Sequence, residues 1–211
     1  TLSDFGALGY LVGKRAQNRI PYFVGDELGL DACTDAHLKA LGAAMAASGA
    51  VALYHVAGVT PEADRPDILV PTYETFAVRD LAPAYAALNT AAREIDLVWF
   101  GCPHASLAEI RRVAELLKGR AVTAALWITT ARDIRDQAAR EGLVRAVEAC
   151  GARVVADMCV VVAPMQELGY RTLATSSAKG ATYVPSHAGL LVRYGTVEQC
   201  VEAAVTGLWP N

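Results

Sequence analysis

The chain has 211 residues, of which 54% are hydrophobic and 19% are charged, so it contains enough apolar sequence for a sizeable core. Its 19 Lys and Arg residues against 22 Asp and Glu give a net charge of −3, and the absence of a basic run disfavours nucleic acid as a partner. No apolar stretch approaches the ~18 residues that a membrane span requires, and no signal peptide is visible.

Short β-branched or aromatic runs alternate along the chain with longer Ala-rich helical stretches. Seven runs are predicted strands, at residues 20–24, 51–56, 95–100, 122–129, 153–157, 171–175 and 190–194. Several are continuously apolar, which indicates burial on both faces, as in a parallel sheet. The alternation predicts an α/β fold, namely a three-layer α/β/α arrangement around a mostly parallel sheet.

Helix starts are marked after several of these strands. Capping boxes at Ser106 and Thr196 predict two helix starts, and Thr130, with Asp133 in place of Glu, predicts a third. The pattern therefore consists of repeated strand–helix units, in which functional side chains are expected in the connecting loops.

Two cysteines stand where a predicted strand runs out into a loop. Cys102 follows the run 95–100, and Cys159 follows the run 153–157. If those strands are neighbours in one parallel sheet, both thiols face the same crevice. The other three cysteines are interpreted as structural, and the odd, irregular set argues against disulfides and for a reducing, cytoplasmic location: Cys33, Cys150 and Cys200.

Cys102 lies four residues before the helix cap at Ser106, close to a helix N-terminus that stabilises a thiolate. Thiolate is the form that binds metal, and His104 could orient or serve the same site. Two thiols are too few for an iron–sulfur or tetrahedral zinc site without a third protein ligand. Buried packing cysteines, with no chemistry, are the alternative for both Cys102 and Cys159.

Small hydroxyl residues and a lysine follow the strand at 171–175. Ser176, Ser177 and Lys179 could receive a carboxylate or phosphate, although the pattern is not a Walker loop. The alternative is an ordinary Ser N-cap followed by an exposed lysine. No Gly-rich dinucleotide fingerprint, GxSxG elbow or HExxH motif is present, which disfavours Rossmann cofactors and serine hydrolysis.

The long irregular stretch of the chain, residues 58–77, follows the predicted strand at 51–56. Thr60 and Pro61 suit the N-cap and N1 positions of a helix, which is the simpler interpretation. Glu62 could instead be a general acid/base or a substrate contact. Loops of this length in compact domains are usually functional or disordered.

Six segments, taken in order, resemble the large subunit, or large-subunit region, of the aconitase X family. They are Asp4-Phe5-Gly6-Ala7-Leu8-Gly9-Tyr10, Ser48-Gly49-Ala50-Val51-Ala52-Leu53-Tyr54-His55, Gly58-Val59-Thr60-Pro61-Glu62-Ala63, Gly101-Cys102-Pro103-His104, Asp157-Met158-Cys159 and Ser176-Ser177-Ala178-Lys179. The resemblance covers nearly the whole chain. As a set the segments are specific, although each alone is weak.

The family's large region is about twice this length, and the chain begins at Thr1 in helix-like sequence. The resemblance therefore implies that residues 1–211 are the C-terminal part of an aconitase-like catalytic region, in one or two α/β subdomains. It implies as partners the N-terminal half of that region and a small swivelling subunit or domain.

Members of the family are iron-dependent hydro-lyases with an aconitase-like fold. The resemblance implies that Cys102 and Cys159 are two of three cysteine ligands to an iron–sulfur cluster or iron centre, with the third outside this chain. Lys179 matches a substrate-binding position, although Ser177-Ala178-Lys179 replaces the frequent Ser-Gly-Lys. Thr60, Glu62 and His104 are further substrate-binding candidates, and Ser176 or Ser177 would assist Lys179 in catalysis.

Two activities are known in the family, and both act on small hydroxy carboxylates. Bacterial members dehydrate cis-3-hydroxy-L-proline to a pyrroline-2-carboxylate, and archaeal members dehydrate mevalonate 5-phosphate. The Ala-rich composition is more similar to bacterial members and favours the hydroxyproline activity. Two other classes remain open, a non-catalytic α/β binding or assembly domain and, with less support because no His-rich ligand set is present, a zinc hydrolase.

Overall fold

The structure, a computed structural model, describes residues 1–25 and 33–210. Its helices are α1 Leu2–Ala16, α2 Asp35–Gly49, α3 Ala82–Ala87, α4 Leu107–Leu117, α5 Arg132–Arg140, α6 Leu143–Glu148, α7 Ala178–His187 and α8 Val197–Thr206, with a 3₁₀ turn at Val160–Val162. Its strands are β1 Tyr22–Phe23, β2 His55–Val56, β3 Leu97–Phe100, β4 Ala125–Thr130, β5 Arg153–Ala156, β6 Thr172–Thr175 and β7 Leu191–Tyr194. Over the described part of the chain, no helix is long and apolar enough to cross a membrane.

Strands β3 to β7 form one parallel sheet, in the order β5-β4-β3-β6-β7. The first two strands form a separate parallel pair. Each of the seven predicted strands overlaps an observed one, although β1 and β2 contain only two residues each. The predicted α/β fold with a mostly parallel sheet is confirmed.

The central strand β3 is buried on both faces, which explains its continuously apolar sequence. Val98 and Phe100 pack in the same core cluster as residues of α4, α6 and α8. Leu97 and Trp99 point the other way, into a cluster that includes α7 and parts of α1 and α2. The alternation of side chains along one strand thus separates two helical layers, and this is the predicted three-layer arrangement.

Helices α1 and α2 pack closely because glycines face the partner helix. A Cβ atom on Gly9 would lie 2.9 Å from the Cβ of Ala44 and closer still to the carbonyl oxygen of Leu41. Gly13 likewise faces α2, where a Cβ would lie 2.8 Å from the carbonyl oxygen of Met45. The α1–α2 pair then packs against α7 and joins the first part of the chain to the sheet.

Of the predicted helix starts, those at Ser106 and Thr196 are confirmed, a helix (α5) follows Thr130 but with Ala131 as its N-cap, and the start at Thr60 is wrong. Ser106 and Thr196 form complete capping boxes. Thr130 is the last residue of β4, and its hydroxyl donates to the carbonyl of Ala105 at 2.6 Å, so it cannot cap α5. Thr60 begins no helix, because residues 57–64 form turns and its hydroxyl accepts from the backbone N–H of Val56 at 2.9 Å.

We expect Gly9→Ala to destabilise the fold by about 1–3 kcal/mol, because the added methyl group overpacks the α1–α2 contact. In an uncrowded helix the same change stabilises by roughly 0.5–1 kcal/mol, so the two explanations differ in sign. Urea unfolding measures the change. Ala46→Gly, at an exposed position of α2, is the control and should cost only the helix-propensity difference of about 1 kcal/mol. A more stable Gly9→Ala protein would contradict the packing argument.

Candidate functional site

All five strands are parallel, but the order in which the chain adds strands to the sheet switches sides at β3. From β3 the chain moves outward through β4 to β5, and it then crosses back to place β6 on the opposite side of β3. Loops that leave adjacent strands in opposite directions open a crevice at their carboxyl ends, where α/β proteins bind ligands. Cys102 follows β3, and Ser176, Ser177 and Lys179 follow β6, so these predicted site residues flank this point.

The loop that carries Cys102, residues 101–105, is held by the end of β4. The Thr129 hydroxyl donates to the carbonyl of Gly101 at 3.0 Å, and the Thr130 hydroxyl donates to that of Ala105 at 2.6 Å. The N–H of Ala105 in turn donates to the carbonyl of Thr129 at 2.9 Å. Both threonines are fully buried, so these bonds lie in a dry environment where they strongly restrict the loop.

Gly101 is required at the start of this loop. Its φ of +111° is in the region that favours glycine, and a Cβ atom there would collide with the carbonyl oxygen of Thr129. The following Cys102–Pro103 peptide bond is cis. The positive φ of Gly101 places a turn at the end of β3, immediately before Cys102.

Ser177 joins the loop after β6 to the loop after β3. Its hydroxyl accepts from the N–H of Gly180 at 2.9 Å, which makes it the N-cap of α7, and it also donates to the carbonyl of Cys102. The predicted cap role is confirmed, and the hydroxyl has a second role across the crevice. Over residues 1–25 and 33–210, the hydroxyl of Ser176 and the ammonium of Lys179 make no hydrogen bond or ion pair.

Cys159 reaches the same region, although β5 is not the neighbour of β3. Strand β4 lies between them, so the condition that the two strands are adjacent is not met. The loop after β5 approaches the Cys102 loop at His104, whose Nε2 lies 3.3 Å from the carbonyl oxygen of Met158. The Cys159 side chain is exposed, and the Cys102 side chain is half-buried.

The charges around Cys102 act in opposite directions on its thiol. Burial is the largest cause and raises the pKa of Cys102 to about 11, and the neighbouring Cys159 also raises it. The Lys179 ammonium lowers the pKa of Cys102, as does a hydrogen bond from Ser177. The effects of Cys159, Lys179 and Ser177 on the Cys102 thiol require that these residues lie near it, so the structure brings the four residues together.

Thr60 and Glu62 are not joined to this group. Thr60 is bonded to the backbone of Val56, at the end of β2, and Glu62 is exposed in the turns that follow. Among the described residues, no hydrogen bond or ion pair connects either of them to Cys102 or Lys179. Their predicted role in substrate binding stays a prediction.

Several contacts that position the site could not be predicted from the sequence, because the two partners are far apart along the chain. Asp157 accepts from the backbone N–H of Arg132 at 3.2 Å and from its Nε at 2.9 Å, so it caps α5 and anchors the loop before Cys159. Lys39 of α2 donates to Glu109 at 2.7 Å. These partners are separated by 25 and 70 residues along the chain. For Thr129 and Thr130, which hold the Cys102 loop, the sequence does offer a signal: a pair of threonines ends the apolar run of β4.

The described residues offer at most part of a metal site. No group of three or more His, Cys, Asp or Glu side chains in residues 1–25 and 33–210 is arranged to hold a metal ion. The two thiols of Cys102 and Cys159 are the donors that the crevice supplies. The third ligand that the sequence analysis expects outside this chain stays a prediction.

Comparison with known proteins connects both parts of the chain to one family. Residues 1–85 match the model of the aconitase X second domain, and residues 95–206 match that of the aconitase X third domain. A solved structure, the holo-form of Thermococcus kodakaraensis aconitase X, superposes with a TM-score of 0.83 at 36% identity, over 97% of this chain and 52% of the other.

Two curated relatives carry different substrate names. The large subunit of phosphomevalonate dehydratase from Methanocaldococcus jannaschii is 43% identical over 202 residues, which is 95% of this chain and 50% of the relative. The cis-3-hydroxy-L-proline dehydratase of Pseudomonas aeruginosa is 38% identical over 218 residues, which is 98% of this chain and 37% of the relative. The chain thus spans about half or less of the length of these relatives.

In the metal-free protein we expect the exposed Cys159 to react with iodoacetamide much faster than Cys102 at pH 8. A pKa of about 11 instead of 9.0 leaves Cys102 with about 100-fold less thiolate than an ordinary thiol, so its rate should climb until the pH passes about 11. Peptide mass spectrometry follows each site. Lys179→Met should slow Cys102 further, because it removes a charge that lowers the pKa of Cys102. Equal rates at pH 8 would contradict the described environment.

Proposed function

We infer that this chain, which belongs to the aconitase X family, is part of an iron-dependent dehydratase that removes water from a small hydroxy carboxylate. One observation carries the proposal, namely the half-buried Cys102 thiol beside Cys159 and Lys179 at the carboxyl edge of the sheet. Thiols with a nearby cation, at the point where the chain reverses direction, suit metal and anion binding better than core packing. The names of the relatives support the reaction class.

The donor chemistry of the crevice fits an iron centre. Thiolates are the usual ligands of iron–sulfur clusters, and metal binding displaces the thiol protons that burial otherwise retains on Cys102. Cys102 and Cys159 would hold the iron, and a third ligand would come from outside these residues. When bound, such a centre supplies a Lewis acid that assists loss of the substrate hydroxyl.

The remaining side chains of the crevice suit the carboxylate end of the substrate. Lys179, which has no acidic partner among the described residues, would bind the carboxylate and stabilise the charge that develops when the α-proton leaves. Ser176 would assist through its uncommitted hydroxyl. Ser177 would act mainly by positioning, because its hydroxyl already bonds Gly180 and Cys102. His104, exposed beside Cys102, would contact substrate at the mouth of the crevice.

The rest of the catalytic machinery would lie in other parts of the protein. The family models that match are those of the second and third domains, and relatives extend to about twice this length. We propose that an N-terminal half and a small subunit or domain complete the site and supply the acid/base group. Thr60 and Glu62 would then meet substrate only in the assembled enzyme. The division of residues 1–211 into one or two subdomains stays a prediction.

Mevalonate 5-phosphate is the first substrate candidate. The archaeal large subunit named for phosphomevalonate is 43% identical to this chain, against 38% for the Pseudomonas hydroxyproline enzyme. It also has about twice the length of this chain, which fits a large subunit that is separate from a small one. The composition-based preference for hydroxyproline is not supported by this ranking.

The second candidate is cis-3-hydroxy-L-proline. The Pseudomonas enzyme of that name aligns over 98% of this chain, so the substrate name differs between relatives that share the same region. Both compounds carry a carboxylate for Lys179 and a hydroxyl that must leave. They differ in charge, because one has a phosphate and the other a secondary amine.

We expect the complete protein, purified without oxygen together with its partner subunit, to contain iron and to show charge-transfer absorption. Cys102→Ser and Cys159→Ser should each lose most of this iron, because each removes a thiolate ligand. Iron analysis and absorption spectra measure the loss. Cys200→Ser, at a buried position in α8, is the control and should retain iron if it folds. Full iron retention in both ligand variants would refute the proposal, and a colourless, iron-free complete protein would favour a binding or assembly domain.

Assay of the iron-loaded enzyme on both compounds decides the substrate. We expect water loss from mevalonate 5-phosphate, followed by mass spectrometry of the product, and a rate on cis-3-hydroxy-L-proline that is lower by at least 100-fold. Specificity of this size corresponds to about 2.7 kcal/mol of transition-state discrimination. The reverse preference would assign the hydroxyproline activity. Lys179→Met should greatly reduce turnover of whichever compound reacts, and Lys118→Met, at the exposed end of α4, should not.

A further inference from the structure

We infer that Lys39 is a positioning residue that sets the separation of the two thiols, an inference that rests on the proposed function. Lys39 belongs to α2, in the part of the chain that matches the second family domain, and its side chain reaches the start of the third. Its Nζ donates to the carbonyl of His104 at 3.3 Å and to the carboxylate of Glu109 at 2.7 Å. It thus contacts the loop of Cys102 from a helix that carries neither thiol.

The Glu109 carboxylate links this lysine to the backbone of the same loop. The Glu109 oxygen that receives Lys39 also accepts from the N–H of Ser106 at 2.8 Å, within the capping box of α4. Each side chain of the ion pair is about one-third exposed, at 32%. Loss of the Lys39 ammonium would leave the Glu109 carboxylate with its hydrogen bond from Ser106 but without a counterion, at the point where the Cys102 loop enters α4.

His104 continues the chain of contacts to the second thiol. Its backbone carbonyl faces Lys39, and its ring nitrogen Nε2 lies 3.3 Å from the carbonyl of Met158, the residue before Cys159. The sequence Lys39, His104, Met158 therefore connects α2 with the loops of both cysteines. Because β4 lies between the strands of these loops, no direct strand pairing fixes the distance between the thiols.

Helix α2 is a suitable base for such a contact. It packs against α1 through glycines and against α7, the helix that carries Lys179. From this helix, Lys39 therefore holds the Cys102 loop in a fixed position relative to Lys179 as well as to Cys159. Partners of this kind, one contact removed from a metal ligand, typically change metal affinity by about 10–100-fold when they are lost.

The test compares Lys39→Met, Lys39→Arg and Lys118→Met in the complete, anaerobically purified protein. Iron loss to a chelator should be about 10-fold faster in Lys39→Met, because the thiols are less well positioned. Lys39→Arg, which keeps the charge and the donors, should stay within about 3-fold of wild type. Lys118→Met, at the other end of α4, should match wild type. The melting temperature of the iron-free protein should change by less than about 4 °C in each variant.

A second measurement separates this inference from the proposed function. In the iron-free protein, hydrogen exchange of residues 101–105 should be faster in Lys39→Met, and exchange in β4 should not change. If the wild type contains no iron, the proposed function fails, and this measurement still decides whether Lys39 orders the loop. If the wild type contains iron and Lys39→Met retains it equally well, only the role of Lys39 is refuted. Faster iron loss in Lys39→Arg, equal to that of Lys39→Met, would refute it too.

If Lys39→Met does not fold, Glu109→Gln is tested in its place. Glutamine can still accept from the N–H of Ser106, so the capping box is kept and the ion pair is lost. We expect iron loss between that of wild type and 10-fold faster, with accelerated exchange of residues 101–105. Wild-type values in both measurements would overturn the inference.

Discussion

The hydrogen bonds from the end of β4 to the loop of residues 101–105 are the constraint on which the candidate site depends. Thr129 and Thr130 are fully buried at the carboxyl end of β4, and their hydroxyls donate to the carbonyls at both ends of that loop. Thr129 also accepts from the indole N–H of Trp99 at 2.9 Å, so its hydroxyl connects β3, β4 and the loop. An apolar residue in either place would leave buried carbonyl groups unsatisfied, at a cost of about 1–3 kcal/mol.

These hydrogen bonds hold the Cys102 thiol in a partly buried environment. Cys102 is half-buried because the loop folds back onto the sheet, and the same burial raises the pKa of its thiol. Lys179 opposes that effect from α7, and the Ser177 hydroxyl connects the two loops directly. The electrostatics of the crevice are therefore a consequence of strand order. The loop with the thiol and the loop before the cation leave adjacent strands at the point where the chain reverses direction.

Local patterns predicted the elements well, because each depends on neighbours in sequence. The apolar run of β3 indicated a central buried strand, and the Ser106 box indicated the start of α4. The capping box predicted at Thr130 does not form, because the Thr130 side chain makes a contact with a residue distant in sequence. Its hydroxyl satisfies the loop carbonyl of Ala105, and the cap of α5 comes instead from Asp157.

The order of the strands had no local signal. Adjacency of β3 and β6 depends on packing of whole layers, so the contact between Ser177 and Cys102 could be expected only from the family resemblance. The same holds for contacts that join the two parts of the chain, such as that of Lys39 with His104. Patterns thus predicted candidate residues one at a time, and the fold determined which of them meet.

The two thiols differ in how firmly the fold holds them, and this difference bears on how a metal centre would be completed. Cys102 lies in a loop bonded at both ends to β4 and across the crevice to Ser177. Cys159 is exposed and precedes a 3₁₀ turn, and its loop is tied through Asp157 to α5 and through Met158 to His104. A ligand on a rigid loop fixes where the metal sits, and a ligand on a less restrained loop adjusts to it. The Cys102 side of the crevice is therefore preformed, whereas its Cys159 side faces outward, where the rest of the protein would supply what two thiols lack.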